Sequence, residues 1–402
     1  MFAERNNIRK IAIILLVSLT PLSALATDFD DLVASLLRHD YQLELSNHQM
    51  EASIAALNAT NVLEDPEIEY EFKDNGAGER GHELVVSQSF EWFGVYGARK
   101  KQIAVERAGL QYINEAERNE QRLKMRTLLV NIIAANQTID RFQSAVEGCD
   151  KLLSTLETNY QRGDVSILDV NKMRIELASY KLKLQEAQRG KEALMAELMS
   201  TITETEILDA TMFPSQFPLV ELKPMAEYLE VARSNDPTLL GAKNNSLVAK
   251  ARKNVASKSA LPGFRIGYLY ENEAGDSFNG FTFGMSLPIW RASKERKAAV
   301  AEEIAAMFGE RVEEIKLGKR IEAIYTQAMN LRETISQYGK ALVVSDNMGL
   351  LRRAYESGTI TLTNFVLDMN FFVDADIQYI ELQRQYYNVL VELMRYEDNI
   401  GS

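Results

Sequence analysis

The sequence predicts a mainly α fold that also carries membrane β-strands, arranged as an internal duplication. Three observations predict it. In the long run from Arg99 to Tyr160, apolar residues fall at Leu128, Ile132, Ala135, Ile139, Phe142, Val146, Cys149, Leu153, Leu156 and Tyr160. These steps of four and three are the heptad of a coiled-coil seam. Two stretches alternate instead with a period of two, the signature of strands. Both features recur about 195 residues further on.

Residues 1–26 read as a secretory signal peptide. Arg5, Arg9 and Lys10 make the positive start, Ile11 to Val17 with Leu19 the apolar core, and Ala24-Leu25-Ala26 the cleavage site. The apolar run is shorter than the roughly 20 residues a helix needs to span a bilayer. Two structural repeats follow, at 27–200 and 237–402, separated by a linker at 201–236 in which Pro214, Pro218 and Pro224 gather.

In the first repeat a helical pattern runs from Asp28 to about Glu64 through Leu32, Leu36, Leu43, Met50, Ile54 and Leu57, and stops before Pro66. Ile68, Tyr70 and Phe72 then alternate with Glu67, Glu69 and Glu71. After Asp74-Asn75-Gly76-Ala77-Gly78 the alternation resumes through Leu84, Val86, Phe90 and Trp92, which makes a hairpin. The rod comes next. It holds about sixty residues without a proline and would be on the order of 90 Å long. Gly163 ends it, and Val170, Met173, Leu177, Tyr180, Leu184 and Ala187 carry the heptad back as an antiparallel partner.

The second repeat replays the first. Asp236 answers Asp40, Pro262 answers Pro66, Ser286 answers Ser89 and Gly358 answers Gly163, at nearly one spacing. A second hairpin alternates through Phe264, Ile266, Tyr268 and Tyr270, then Phe281, Phe283, Met285 and Leu287. Ala341, Val344, Met348, Leu351 and Tyr355 repeat the seam, and Tyr379, Leu382, Tyr386, Val389 and Leu393 give the closing helix its own heptad.

The chain carries 45 basic and 57 acidic residues, a formal net charge of −12. Loss of the leader, with Arg5, Arg9 and Lys10 against Glu4, takes the mature chain to −14. That balance argues against nucleic acid as a partner, because phosphate binding needs clustered cations. Cys149 is the single cysteine and lies on an apolar seam, so it reads as a buried structural thiol. His39, His48 and His82 show no ligand spacing, and no metal site, cofactor fingerprint or nucleophile motif is present. The chain is read as no enzyme.

Four strands of roughly nine to eleven residues are long enough to cross a membrane when tilted, yet four cannot close on themselves. In lipid an open edge leaves backbone groups unpaired, so several chains are expected to pool their strands. Three chains supply twelve. Trp92 and Trp290 end the second strand of each hairpin, where an interfacial aromatic belt would lie; a small core between hairpin and helix is the other reading of both. A structural coiled-coil protein of the periplasm and a periplasmic adaptor are the alternatives from other classes. Long stretches exposing Phe, Tyr and Leu favour the membrane reading, since in water they invite aggregation.

The duplicated hairpin, rod and turn, with Tyr160-x-x-Gly163-x-x-x-Ile167-x-Asp169-Val170 and Tyr355-x-x-Gly358-x-x-x-Leu362-x-Asn364, resemble the TolC family of outer-membrane efflux proteins over essentially the whole mature chain. Asp65-Pro66-Glu67-Ile68-Glu69-Tyr70 and Leu84-Val85-Val86-Ser87-Gln88-Ser89-Phe90 also resemble the branch serving cobalt, zinc and cadmium efflux. The resemblance implies a homotrimer with a twelve-stranded β-barrel in the outer membrane and a periplasmic α-barrel. It implies docking onto a periplasmic adaptor fed by an inner-membrane pump, in a tripartite efflux system or a type I secretion system.

By position, the resemblance puts the glycine turns at the periplasmic tips, where Gly163, Asp164, Ser166, Gly358, Thr359 and Thr361 would meet the adaptor. It implies a latch in which Asp169 bonds Tyr355 to hold the entrance shut. Two departures stand out. Ile360 replaces a basic latch residue, and Asn364 and Leu367 occupy positions of the family's acidic entrance ring, with Asp368 adjacent but turned by about 100°.

Overall fold

The computed structural model describes residues 24–74, 80–202, 213–218, 220–273, 276–342 and 347–396. Most of the expected leader, together with Gly76, Gly78, Gly275 and Val344, lies outside these residues. The chain folds in the order α1 (Ala24–Arg38), α2 (Tyr41–Ala59), β1 (Glu67–Asp74), β2 (Arg80–Phe90), α3 (Phe93–Arg162) and α4 (Ile167–Met199). Then come α5 (Met225–Asn235), α6 (Pro237–Lys258), β3 (Gly263–Glu273), β4 (Asp276–Ser286), α7 (Arg291–Leu342), α8 (Asn347–Glu356) and α9 (Leu362–Met394).

The rod is longer than the heptad alone predicts. With no proline or capping residue to stop it, α3 runs unbroken for 70 residues, about 105 Å. The expected single helix from Asp28 to Glu64 is instead two. Asp40 ends the first and caps the second, its Oδ1 accepting from Gln42 N–H at 2.8 Å and Leu43 N–H at 3.1 Å. An aspartate at that point offers the backbone a better partner than helix continuation does. Asp236 does the same between α5 and α6, accepting from Leu239 N–H at 2.8 Å, so α5 stands to α6 as α1 stands to α2.

Three apolar clusters hold the helices. One joins α1 to α3 through Phe29, Val33, Leu36, Leu129 and Ile133. A second joins α5, α6, α7 and α9 through Tyr228, Leu239, Ile321 and Leu393. The third fills the distal end, where Phe142, Cys149 and Leu156 of α3 meet Val170, Met173 and Tyr180 of α4 and Phe365, Met369 and Val373 of α9. The predicted seam is thus the core, each large side chain in it worth about 1.5–3 kcal/mol of burial; Tyr160 at its end is exposed. Cys149 contacts Met369 with sulfurs 3.9 Å apart, and burial pushes its thiol up to about 12, so it stays protonated and inert. Among the described residues, no helix is long and apolar enough to cross a membrane.

The four strands form one antiparallel sheet in the order β1-β2-β3-β4. Between the hairpins β2 pairs with β3, with Leu84 opposite Tyr270, Val86 opposite Tyr268 and Phe90 opposite Phe264. The helices that continue the strands keep the same order, α2 beside α3, α3 beside α6 and α6 beside α7. Strand and helix therefore form one wall whose two margins are β1 with α2 and β4 with α7.

Candidate functional site

Two parts of this wall carry functional geometry, the helix tips and the sheet. At the tips Gly163 and Gly358 have φ of 84° and 71°, the left-handed region that a residue with a Cβ enters only under strain. Each closes its helix in the same way. Gly163 N–H donates to Tyr160 O and Asp164 N–H to Asn159 O, while Gly358 N–H donates to Tyr355 O and Thr359 N–H to Ala354 O, all at 2.9 Å. This is the Schellman arrangement, which satisfies carbonyls otherwise orphaned at a helix end.

The next helix starts three residues later, again in parallel. Ser166 caps α4: its Oγ accepts from Asp169 N–H at 3.2 Å and donates to Asp169 Oδ2 at 2.9 Å. Thr361 caps α9 by accepting from Asn364 N–H at 3.2 Å. Serine and threonine three residues ahead of an acid or amide are legible as a cap in sequence, a signal the family positions had overshadowed. The capping role occupies the carboxylate of Asp169 in the single protomer. Asp169 gives its bond to Ser166, and among the described residues no hydrogen bond joins it to Tyr355. Tyr355 lies half-buried with its ring 5.3 Å from that of Phe365. Burial first, and the charge of Asp169 second, push its phenol upward. The two are within electrostatic reach without a bond.

Around them Asp164, Ser166, Thr359, Thr361, Asn364, Leu367 and Asp368 are exposed, and Ile360 packs partly onto the distal core. The tips are joined by contacts that the motifs did not announce. Lys172 Nζ donates to Thr363 Oγ1 at 3.1 Å, Tyr180 OH donates to Asn370, and Lys183 meets Asp374 at 3.4 Å. These run as a ladder between α4 and α9, at the nearly constant offset in sequence of two helices that run the same way side by side.

In the sheet the register sorts residues by face. One face carries Ile68, Tyr70, Phe72, Leu84, Val86, Phe90, Phe264, Ile266, Tyr268, Tyr270, Phe281, Phe283 and Met285 across all four strands, with Gln88 among them and His82 and Asn279 toward the hairpin loops. Most of these side chains lie bare, Phe281 at 87% exposure. The other face places Glu71, Glu83 and Glu271 in one row, with Lys73 bonded to Glu83 and Glu271. Period-two strands of matched register thus give one apolar and one polar surface. The tryptophans part company. Trp92 is half-buried with its ring 5.9 Å from Phe264, whereas Trp290 is 83% exposed just beyond β4. Among the described residues no cluster of His, Cys, Asp and Glu is arranged to hold a metal ion.

No protein-family model matches the sequence, and no curated protein matches it. Solved structures do. The outer-membrane channel OprN aligns over 93% of this chain and 92% of its own, with a TM-score of 0.75 at 14% identity. CusC, described for its folding and transmembrane channel formation, aligns over 92% of each chain with a TM-score of 0.72 at 12% identity. The CmeC outer membrane channel of Campylobacter jejuni aligns over 92% of this chain and 85% of its own, with a TM-score of 0.68 at 15% identity. The protomer therefore has the TolC-like fold, four strands on long paired helices, that its motifs resemble. It is similar to these channels from end to end, with the duplication intact in both halves.

Proposed function

We propose that this chain is the outer-membrane exit duct of a tripartite efflux system, a passive homotrimeric channel that carries small molecules or metal cations from an inner-membrane pump to the outside. One observation carries the reading. The apolar face of the sheet extends over all four strands, yet both sheet margins end in unpaired strands, a surface suited to lipid and an edge that lipid forbids. Three copies joined β4 to β1 close twelve strands and leave no edge.

The helical margins fit the same closure. Val300, Ile304, Phe308, Val312 and Ile315 form a bare apolar stripe on α7, and Leu45, Ala52, Ala55 and Ala59 a bare stripe of mostly small residues on α2, with Val62 exposed just beyond its end. Both have the spacing of a coiled-coil seam, and each lies on the margin that continues an edge strand. Closure places the polar sheet face, with its acidic row, in the lumen. The channel is anchored in the outer membrane, and the helices extend into the periplasm toward an adaptor that meets the turns at Gly163 and Gly358. The likeness to outer-membrane channels supports this placement.

The test is extraction from outer membranes in detergent, followed by the mass of the protein in the micelle and its conductance in planar bilayers. A conducting trimer is expected; a water-soluble monomer or dimer without conductance would overturn the reading.

The gate follows from the tips. A hydroxyl held near a carboxylate in a half-buried site is worth about 1–3 kcal/mol if it becomes a bond on closure. Tyr355→Phe and Asp169→Ala are each expected to raise single-channel conductance, by shifting the closed population about tenfold. Asp169→Ala also loosens the start of α4, so Tyr355→Phe is the cleaner change. Unchanged traces in both variants would remove this pair from the gate and leave Asp169 as a cap alone.

A further inference from the structure

The joint between sheet and helices carries exposed charge that neither the gate nor the seam uses. At the foot of the apolar sheet face Phe93 is 73% exposed, its ring 6.4 Å from that of Phe264. Below it lie Lys100, Lys258, Arg296 and Lys297, all exposed and none with a side-chain partner among the described residues. Lys258 is the last residue of α6, and the others sit five to seven residues past the starts of α7 and α3. All four are therefore within about 11 Å, along the helix axes, of the ends that meet the strands.

These cations face the same way as the apolar side of the sheet. A helix turns by about 100° per residue, which puts Lys100 only about 20° from Phe93 on α3. The opposite surface of the wall is marked by Arg252, which pairs with Glu106 of α3 at 2.9 Å and with Glu302 of α7 at 2.7 Å. Glu106 is turned about 140° from Phe93 and about 120° from Lys100. On α7, Arg296 and Lys297 are turned about 120° and 140° from Glu302. The stem of Lys258 flanks Gly94 together with the indole of Trp92, whose ring lies beside Phe264.

The four stay free although acids are close at hand. Arg99 and Lys253, at the same joint, are matched by Glu91 at 2.7 Å and Glu303 at 2.5 Å. In a chain of net charge −12, unmatched cations directly beneath an apolar face make an amphipathic boundary with one sign of charge. A bilayer presents the complement of that boundary: hydrocarbon, then a headgroup layer about 5–8 Å deep that carries phosphate. Lysine and arginine stems lie along apolar surface and extend their donors into such a layer, where an oxyanion accepts from them.

We propose that this collar binds the phosphate of an anionic phospholipid in the periplasmic leaflet, whose acyl chains run up the apolar face of the sheet. The inference rests on the outer-membrane reading given above. A zwitterionic headgroup brings its own cation to the collar, so the preference is for lipid with a net negative charge.

Trp92 and Trp290 are the two tryptophans of the chain and both lie at this joint, so intrinsic fluorescence reads it directly. The purified full-length protein is reconstituted into phosphatidylcholine vesicles holding a fixed fraction of phosphatidylglycerol brominated near the top of its acyl chains. Parallel vesicles hold the same fraction of brominated phosphatidylcholine. Quenching is expected to show phosphatidylglycerol enriched about fivefold or more at the collar at low salt, and less at about 0.5 M salt. The triple variant Lys100→Gln, Lys258→Gln, Arg296→Gln keeps apolar stems and good helix formers at exposed positions. It is expected to bring the enrichment close to one while its mass in the micelle and its conductance stay as in the wild-type protein. Equal quenching by the two brominated lipids, or an undiminished preference in the triple variant, would overturn the proposal and leave the duct standing. No quenching by either lipid would overturn the membrane placement and the proposal with it.

Discussion

Replacing Ile304 and Phe308 of α7 by glutamate is expected to leave a helical protomer that no longer assembles. Both side chains are bare in the single chain and lie in the middle of the α7 stripe. In a closed ring they would be buried against the α2 stripe of the next copy, and each is worth about 1.5–3 kcal/mol of apolar burial. A glutamate in the same seam forfeits that burial and adds the cost of taking a charge out of water, so the loss is roughly 5 kcal/mol or more at every interface. Within the protomer neither residue contributes to a core cluster, so helix content should be unchanged. Light scattering with circular dichroism reads both quantities. A double variant that keeps the wild-type mass would exclude the α7 stripe as the assembly seam, while a variant that loses its helicity would show the stripe to be part of the protomer's own core.

The second large effect is expected in the sheet. Phe281→Arg with Phe283→Arg puts two cations on the apolar face of β4, where a charge near the middle of a bilayer costs about 2–4 kcal/mol each. The doubly substituted chain should fail to reach the outer membrane. Thr282→Lys changes the residue between them, and the register places Thr282 on the polar face opposite Gly267. This variant should insert as the wild-type protein does. Fractionation of the cell envelope separates the outcomes. Equal insertion of both variants would mean that the apolar face does not meet lipid, and the sheet would need another partner.

Much of this architecture was legible in the residues themselves. The heptad from Leu128 to Leu156 marked the seam of α3, because a helix repeats its faces every three or four residues and a seam has to be apolar along its length. Alternation marked the hairpins for the equivalent reason at period two. Gly163 and Gly358 marked the turns, since few other residues tolerate the φ found there. The duplication showed itself because both halves need the same local signals in the same order.

Other features escaped that reading for reasons equally physical. The break at Asp40 is a competition between two backbone partners, and the apolar period runs through it undisturbed. The bond of Asp169 to Ser166 depends on a rotamer three residues away, which position in the chain does not reveal. Trp92 and Trp290 occupy matching places, yet one lies against Phe264 and the other stands in the open, a difference set by what packs beside each hairpin.

By itself, then, the sequence determined which segments are helix and which are strand, which side of each is apolar, and where the chain reverses. All of these depend on residues close together in the chain. The tertiary structure alone decided that β2 pairs with β3, so that the apolar sides of two distant hairpins become one surface with two open margins. It also decided that α4 and α9 are joined through Lys172, Tyr180 and Lys183. A periodic pattern specifies a face but not its neighbour, and neighbours far apart in sequence are chosen only when the whole wall is packed.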